Sequence, residues 1–169
     1  ETDGNHFSVG GMLTKLQAAE VVTRAGETLW IADGTDFAVL DHIFEGQDTG
    51  TLFPPCHDVR MKASKRYLAF FAQPTGELTI DAGAEHALCR EGRSLLPGGV
   101  CAQSGGFARG DTVRVLNPEG EEIARGVSNY SAQEVQRILG VQSERIEEIL
   151  GANASFAEIV HRDYLVILR

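Results

Sequence analysis

Along this chain the periodicity of apolar residues changes once, near residue 75, and that change limits what can fold. Before it, helical spacing alternates with short apolar runs. "GGMLTKLQAAEVVTRAG" reads as a helix: Leu13, Leu16, Ala19 and Val22 fall close to the 3.6-residue period, and Gly26 supplies a stop. "TLWIAD" (28–33) reads as a buried strand, "DFAVLDHIFEG" as a short amphipathic helix, and "GTLF" (50–53) as a second strand. Helix, strand, helix, strand with short connections is the pattern of an α/β layer on a largely parallel sheet. Two strands and two helices cannot bury enough apolar surface to offset the entropy of ordering them, so this part is not expected to stand alone.

Residues 54–72 break the pattern with Pro54 and Pro55 and then gather Arg60, Lys62, Lys65 and Arg66, the one basic cluster of the chain. A solvated linker helix is the expectation, with a polyanion contact as the functional alternative. From about Gly76 apolar and polar residues alternate in "GELTID" and "TVRVLN", and "PEGEE" reads as a turn leading into "IARGVSNY". Helices interrupt at "AGAEHALCRE", "SAQEVQRILG" and "QSERIEEILG". Asp81 stands where a carboxylate caps free amides, and Ser131 with Glu134 has capping-box spacing. "FAEIVHRDYLVIL" returns to a strand. Taken together, the residues divide as 1–55 (α/β), 56–74 (linker) and 75–169 (small mixed barrel).

The length of 169 residues suits one ordinary domain or two small ones. No apolar run approaches the roughly 20 residues that span a bilayer. "ETDGNHF" has no basic and no apolar region of a secretory signal, and the first residue is Glu1 rather than Met, so the chain is expected to start inside a longer polypeptide. Cys56, Cys89 and Cys101 match neither a disulfide framework nor a metal signature. They are expected to be reduced and mostly buried, which suits a cytoplasmic location. The five histidines show no ligand spacing, and no metal site is predicted. The net charge of −9 is spread over both parts: 6 basic against 10 acidic residues in 1–72, and 9 against 14 in 73–169. The second part contains no lysine. Neither has the positive field that binding to a phosphate backbone needs.

"SVGGMLTK" (8–15) is the stretch with the clearest chemistry. Gly10 and Gly11 let the backbone approach an anion, and the helix beyond them aims free N–H groups and the positive end of its dipole at it. Lys15, one turn in, adds a point charge, and Thr14 a hydroxyl. The spacing is not that of a Walker A loop. "HRD" (161–163) lacks the asparagine and downstream motifs of a protein kinase and reads as the polar start of a terminal strand. Asp81 with Glu85 reads as a helix start, and Glu147 with Glu148 as a solvated helix face. "GGFARGD" (105–111) is the loop expected to be exposed for an interaction.

"GGMLTKLQAAEVVTRAG" resembles the C-terminal nucleotide-binding segment of the amino acid kinase superfamily, and within it the glutamate 5-kinase family. The resemblance continues in order through "GTLF", "GELTIDAGAEHAL", "SLLPGGV", "GGFARGDTVRV", "GEEIARGVSNYS", "ILG" and "HRDYLV". It implies an α/β fragment, the C-terminal part of an amino acid kinase-type three-layer sheet, followed by a small, mainly β PUA-like barrel with helices. The family's T-G-G-M-x-T-K stretch maps onto Val9, Gly10, Gly11, Met12, Leu13, Thr14 and Lys15, which implies ATP binding by these residues and a catalytic role for Lys15 toward the phosphates. Ser8-Val9 departs from the family's Gly-Thr, so Val9 can contribute only through its backbone.

The resemblance further implies ATP and L-glutamate as substrates, Mg²⁺ as cofactor, transfer of the γ-phosphoryl group to the γ-carboxylate in proline biosynthesis, a cytoplasmic location, and homo-oligomerisation through the kinase domain. The family's glycine-rich first strand, its active-site lysine and its glutamate-binding residues lie ahead of the segment matched here. The chain alone is therefore expected to be inactive. The alternative is an RNA-binding PUA module with a vestigial kinase remnant. RNA is a partner that the PUA resemblance admits and the charge balance disfavours; no membrane partner is expected.

Overall fold

The computed structural model describes residues 11–56 and 61–168, and the chain separates into two compact units at Lys62/Ala63. In the first unit, helix α1 (Met12–Arg24) is succeeded by strand β1 (Leu29–Ile31), helix α2 (Val39–Phe44) and strand β2 (Thr51–Phe53). The order is the one the periodicity predicts, but the strands run antiparallel, with Leu29 opposite Phe53 and Ile31 opposite Thr51. The turn before β2 decides this. Gly50 has φ +72° and its Cα lies so close to β1 that a Cβ there would sit 2.4 Å from the Ile31 carbonyl oxygen. The chain thus returns beside the end of β1 and can only run back along it.

The strand expected to be buried is open: Trp30 is 38% exposed and donates from Nε1 to the Thr49 carbonyl at 2.7 Å. Among the described residues of this unit only Ala19, Thr23 and Ala25 are buried. Met12, Leu13, Leu16, Phe37, Leu40 and Phe44 all stand in solvent. That is the packing deficit expected of two helices on two strands.

The second unit begins with helix α3 (Ala63–Phe70), which lies inside the segment read as a linker; it packs on the last two strands with Leu68 buried. Then come β3 (Gly76–Ile80), α4 (Ala82–Glu91), β4 (Val100–Gly105), β5 (Thr112–Leu116), β6 (Glu122–Ser128), α5 (Ala132–Ile138), α6 (Ile146–Leu150) and β7 (Val160–Ile167). They form a five-stranded mixed sheet in the order β4-β3-β5-β6-β7, with β3 and β5 parallel and every other pair antiparallel. The end strands are not paired with each other; α5 packs on β4 and α4 on β7. The barrel is thus closed by helices rather than by hydrogen bonds.

Alternation explains the core. Leu78 and Ile80 of β3, Val113 and Val115 of β5, and Ile123 of β6 are buried in one cluster with Leu88, Leu95, Tyr130, Ile138 and Leu165. Gly76 is required by close approach, because a Cβ would fall 2.2 Å from the Phe107 ring. The predicted caps form as read. Asp81 accepts from the Ala84 amide at 2.7 Å, and Ser131 and Glu134 make a complete capping box. "HRD" is the start of β7, where His161 Nδ1 accepts from the Asp163 amide at 3.2 Å.

The cysteines correct the expectation of buried thiols. None of the three forms a disulfide, but Cys56 and Cys101 are exposed and only Cys89 is partly buried. Cys56 lies just beyond a three-residue strand, and Cys101 points outward on the end strand β4, where no layer covers it.

Candidate functional site

Val9 and Gly10 lie outside the described residues, so the site is built from Gly11 onward. Gly11 is the N-cap of α1, in extended conformation (φ −78°, ψ −173°), with no side chain capping the helix. Its Cα faces open space: a Cβ would meet nothing within 4 Å. Thr14 turns inward on the helix and donates from its hydroxyl to the Gly11 carbonyl at 2.8 Å. That bond steadies the first turn and occupies the hydroxyl proton. Met12 and Leu13 are 62% and 69% exposed, and Lys15 is also exposed. The first-turn amides of Met12 and Leu13 therefore have no side-chain acceptor, and an anion placed there would meet backbone donors, the positive end of a 13-residue helix and one ammonium.

The structure adds a residue that sequence reasoning missed. Asp33, just after β1, accepts from the Thr35 amide at 2.9 Å and from its hydroxyl at 2.8 Å. These two bonds hold its carboxyl below the ordinary carboxylate value, and the nearby charge of Lys15 lowers it further. Lys15 and Asp33 are 18 positions apart; α1, which carries Lys15, packs on β1, which leads to Asp33. The Asp-x-Thr spacing of an Asx turn was the available signal. The next acid, Asp36, accepts from the Ala38 amide at 2.9 Å in the turn before α2 and faces His42 Nδ1 at 3.1 Å.

In the second unit, "GGFARGD" is exposed along its backbone but is not a free loop. Phe107 is only 3% exposed and lies in the core. Arg109 clamps Glu134 with two bonds, Nε to Oε2 at 2.9 Å and Nη2 to Oε1 at 2.6 Å, and donates to the Asn153 carbonyl at 2.6 Å. Its guanidinium stands 5.2 Å from the centre of the Tyr130 ring. The clamp, with help from Ser131, holds Glu134 down to about 2. Asp111 closes the loop by accepting from the Ala108 amide at 2.9 Å. The loop is a fastener between β5, α5 and the segment before β7.

Among the described residues, no group of three or more His, Cys, Asp or Glu side chains could hold a metal ion, and no helix is long and apolar enough to cross a membrane.

Residues 76–150, which lie within the second unit, match the PUA domain family. Over nearly its whole length, both units included, the chain is similar to glutamate 5-kinases. It is 43% identical over 165 residues to that of Moorella thermoacetica and 44% identical over 165 residues to that of Citrifermentans bemidjiense, 98% of this chain in each case. The chain spans 43% and 44% of the length of these two relatives. Among solved structures it is similar to a PUA domain from Aeropyrum pernix K1, crystallised as a tartrate complex, at 25% identity over 52% of this chain and 41% of that one, with a TM-score of 0.39.

Proposed function

We propose that this chain is the C-terminal portion of a glutamate 5-kinase: the end of its kinase domain joined to a PUA domain. The observation that carries the reading is identity above 40% along 98% of the chain, collinear with the family through both units. In this reading the whole protein transfers the γ-phosphoryl group of ATP to the γ-carboxylate of L-glutamate, the committing step toward proline, in the cytoplasm and as a homo-oligomer. The kinase segment comprises residues 1–55 and the PUA-like segment 75–169, joined through 56–74.

The described residues fit the phosphate end of a nucleotide. Gly11 leaves room for an oxygen against the backbone, the first amides of α1 donate to it, and Lys15 neutralises charge that develops as the phosphoryl group moves. Met12, Leu13 and Thr14 contribute backbone and frame, while Val9 and Gly10 complete the loop by the family resemblance. These residues form no Mg²⁺ site, so the ion, which neutralises phosphate oxygens in such reactions, is not assigned to them. The exposed apolar side chains of the first unit fit a surface that the rest of a kinase domain covers.

The test is a chimera in which this chain replaces the matched segment of the Moorella thermoacetica enzyme. It is expected to release ADP in a glutamate-dependent manner, and Lys15→Ala in it should lower kcat by on the order of 10²-fold. The 169-residue chain alone should release none. Glutamate-dependent ADP release by the chain alone would sink the fragment reading, and an unchanged Lys15→Ala chimera would remove Lys15 from the site. The RNA-binding alternative has the PUA match behind it, but the second unit carries more acidic than basic residues.

A further inference from the structure

A groove of about 570 Å³ runs between α3 and the β5, β6 and β7 strands, lined entirely from within the second unit. Its floor is apolar, with Leu68 and Ala72 buried. Its walls are aromatic and open: Tyr67 is 59% exposed, Phe71 61% and Tyr164 55%. Among the described residues this unit exposes five large apolar or aromatic side chains, and three of them line this one groove. Surface aromatics scattered singly need no explanation, but three facing one concavity do.

The charge around the groove selects what it can take. Asp111 is the one charged side chain in the lining. Its Oδ2 is engaged by the Ala108 amide at 2.9 Å and the Thr75 hydroxyl at 3.4 Å, so both bonds fall on one oxygen of a carboxylate that lines the groove. An anion would meet that carboxylate with no cation to offset it. A neutral apolar molecule would strip water from it and return no partner. A cation would be attracted by both features at once, the carboxylate and the negative faces of the aromatic rings. The volume is within the range of small-molecule sites.

We propose that this groove binds an organic cation, an alkylated ammonium or a guanidinium group. Its apolar carbons rest on Leu68 and the aromatic walls, and its charge lies toward Asp111. The site is independent of the nucleotide-binding reading of the first unit, since none of its residues belongs to that unit.

The experiment is an amide NMR titration of the whole 169-residue chain with choline and, in parallel, with 3,3-dimethylbutan-1-ol, which has the same shape without the charge. Choline should shift the Gly110, Thr112 and Tyr164 amides saturably and bind at least roughly fivefold more tightly than the alcohol. Asp111→Asn, which keeps an acceptor for Ala108 and Thr75, should erase that difference. Tyr67→Ala, on an exposed helix face, should weaken choline without unfolding the chain. N-acetylarginine methylamide identifies the source: tighter binding than choline points to a guanidinium on a peptide, weaker binding to a free quaternary ammonium. Equal affinity for choline and the alcohol, saturable shifts confined to other surfaces, or no saturable shift with any of the cations would overturn the proposal.

Discussion

Replacing Arg109 by Met keeps an unbranched apolar stem and removes the charged guanidinium, which should weaken the second unit by an amount that depends on pH. Arg109 loses both bonds to Glu134, its bond to the Asn153 carbonyl and its place over Tyr130. Glu134 retains the amide and hydroxyl of Ser131, at 2.9 and 3.0 Å, so the helix start survives. A carboxyl held at about 2 instead of its ordinary 4.5 corresponds to about 3 kcal/mol at neutral pH if it is taken in full. The Arg109 side chain is 36% exposed, and screening by water reduces the part due to it to about 1–2 kcal/mol. For a domain of this size that is a fall in Tm of about 4–12 °C.

The pH dependence identifies the cause. Because the folded-state value is depressed, this stability is fully present above about pH 4.5 and is lost as the pH falls toward 2. Urea unfolding of the 169-residue chain and of Arg109→Met, monitored by far-UV circular dichroism, should therefore give a difference that is constant from about pH 7 to 5. The difference should narrow steadily from about pH 5 to 3. A difference that stays constant or widens over that acid range would refute the ion pair as its source and leave lost packing as the explanation.

Gly76→Ala should destabilise the second unit by about 1–3 kcal/mol, read as a lowered denaturation midpoint, because the new methyl collides with the Phe107 ring and lies 2.9 Å from the Ser104 carbonyl oxygen. Ser131→Ala removes one half of the capping box of α5 and should cost about 1 kcal/mol by the same measurement, with the second unit still folded. A thiol reagent under native conditions should label Cys56 and Cys101 fast and Cys89 more slowly; uniform protection of all three would contradict the exposure of β4 and of the segment after β2.

Much of the secondary structure was legible because it is set locally. Helix periodicity in Met12–Arg24, alternation in Gly76–Ile80, and the acceptors at Asp81 and Ser131 each act within a turn or a strand, so neighbours in sequence are enough to read them. The start of α1 after Gly11 was legible for the same reason, and the collinear match to glutamate 5-kinases needed only the order of residues. What was misread depends on where distant segments lie. The direction of β2 turns on Gly50 meeting Ile31, and the exposure of Trp30 on the absence of a covering layer in the described first unit. "GGFARGD" reads as an exposed loop because glycines and charges fill it, yet Phe107 reaches the core and Arg109 reaches Glu134, 25 residues on.

The amino-acid sequence by itself determined that two kinds of periodicity meet near residue 75, that a helix starts after Gly11, and that both parts match one family in order. Only the tertiary structure decided that β2 runs antiparallel to β1, that helix α3 belongs with the second unit, and that Tyr67, Phe71, Tyr164 and Asp111 share a groove. The reason is one of range. Periodicity and caps are bonds and contacts within a few residues, whereas a site is a meeting of side chains whose separation along the chain says nothing about their separation in space until the sheet order has been chosen.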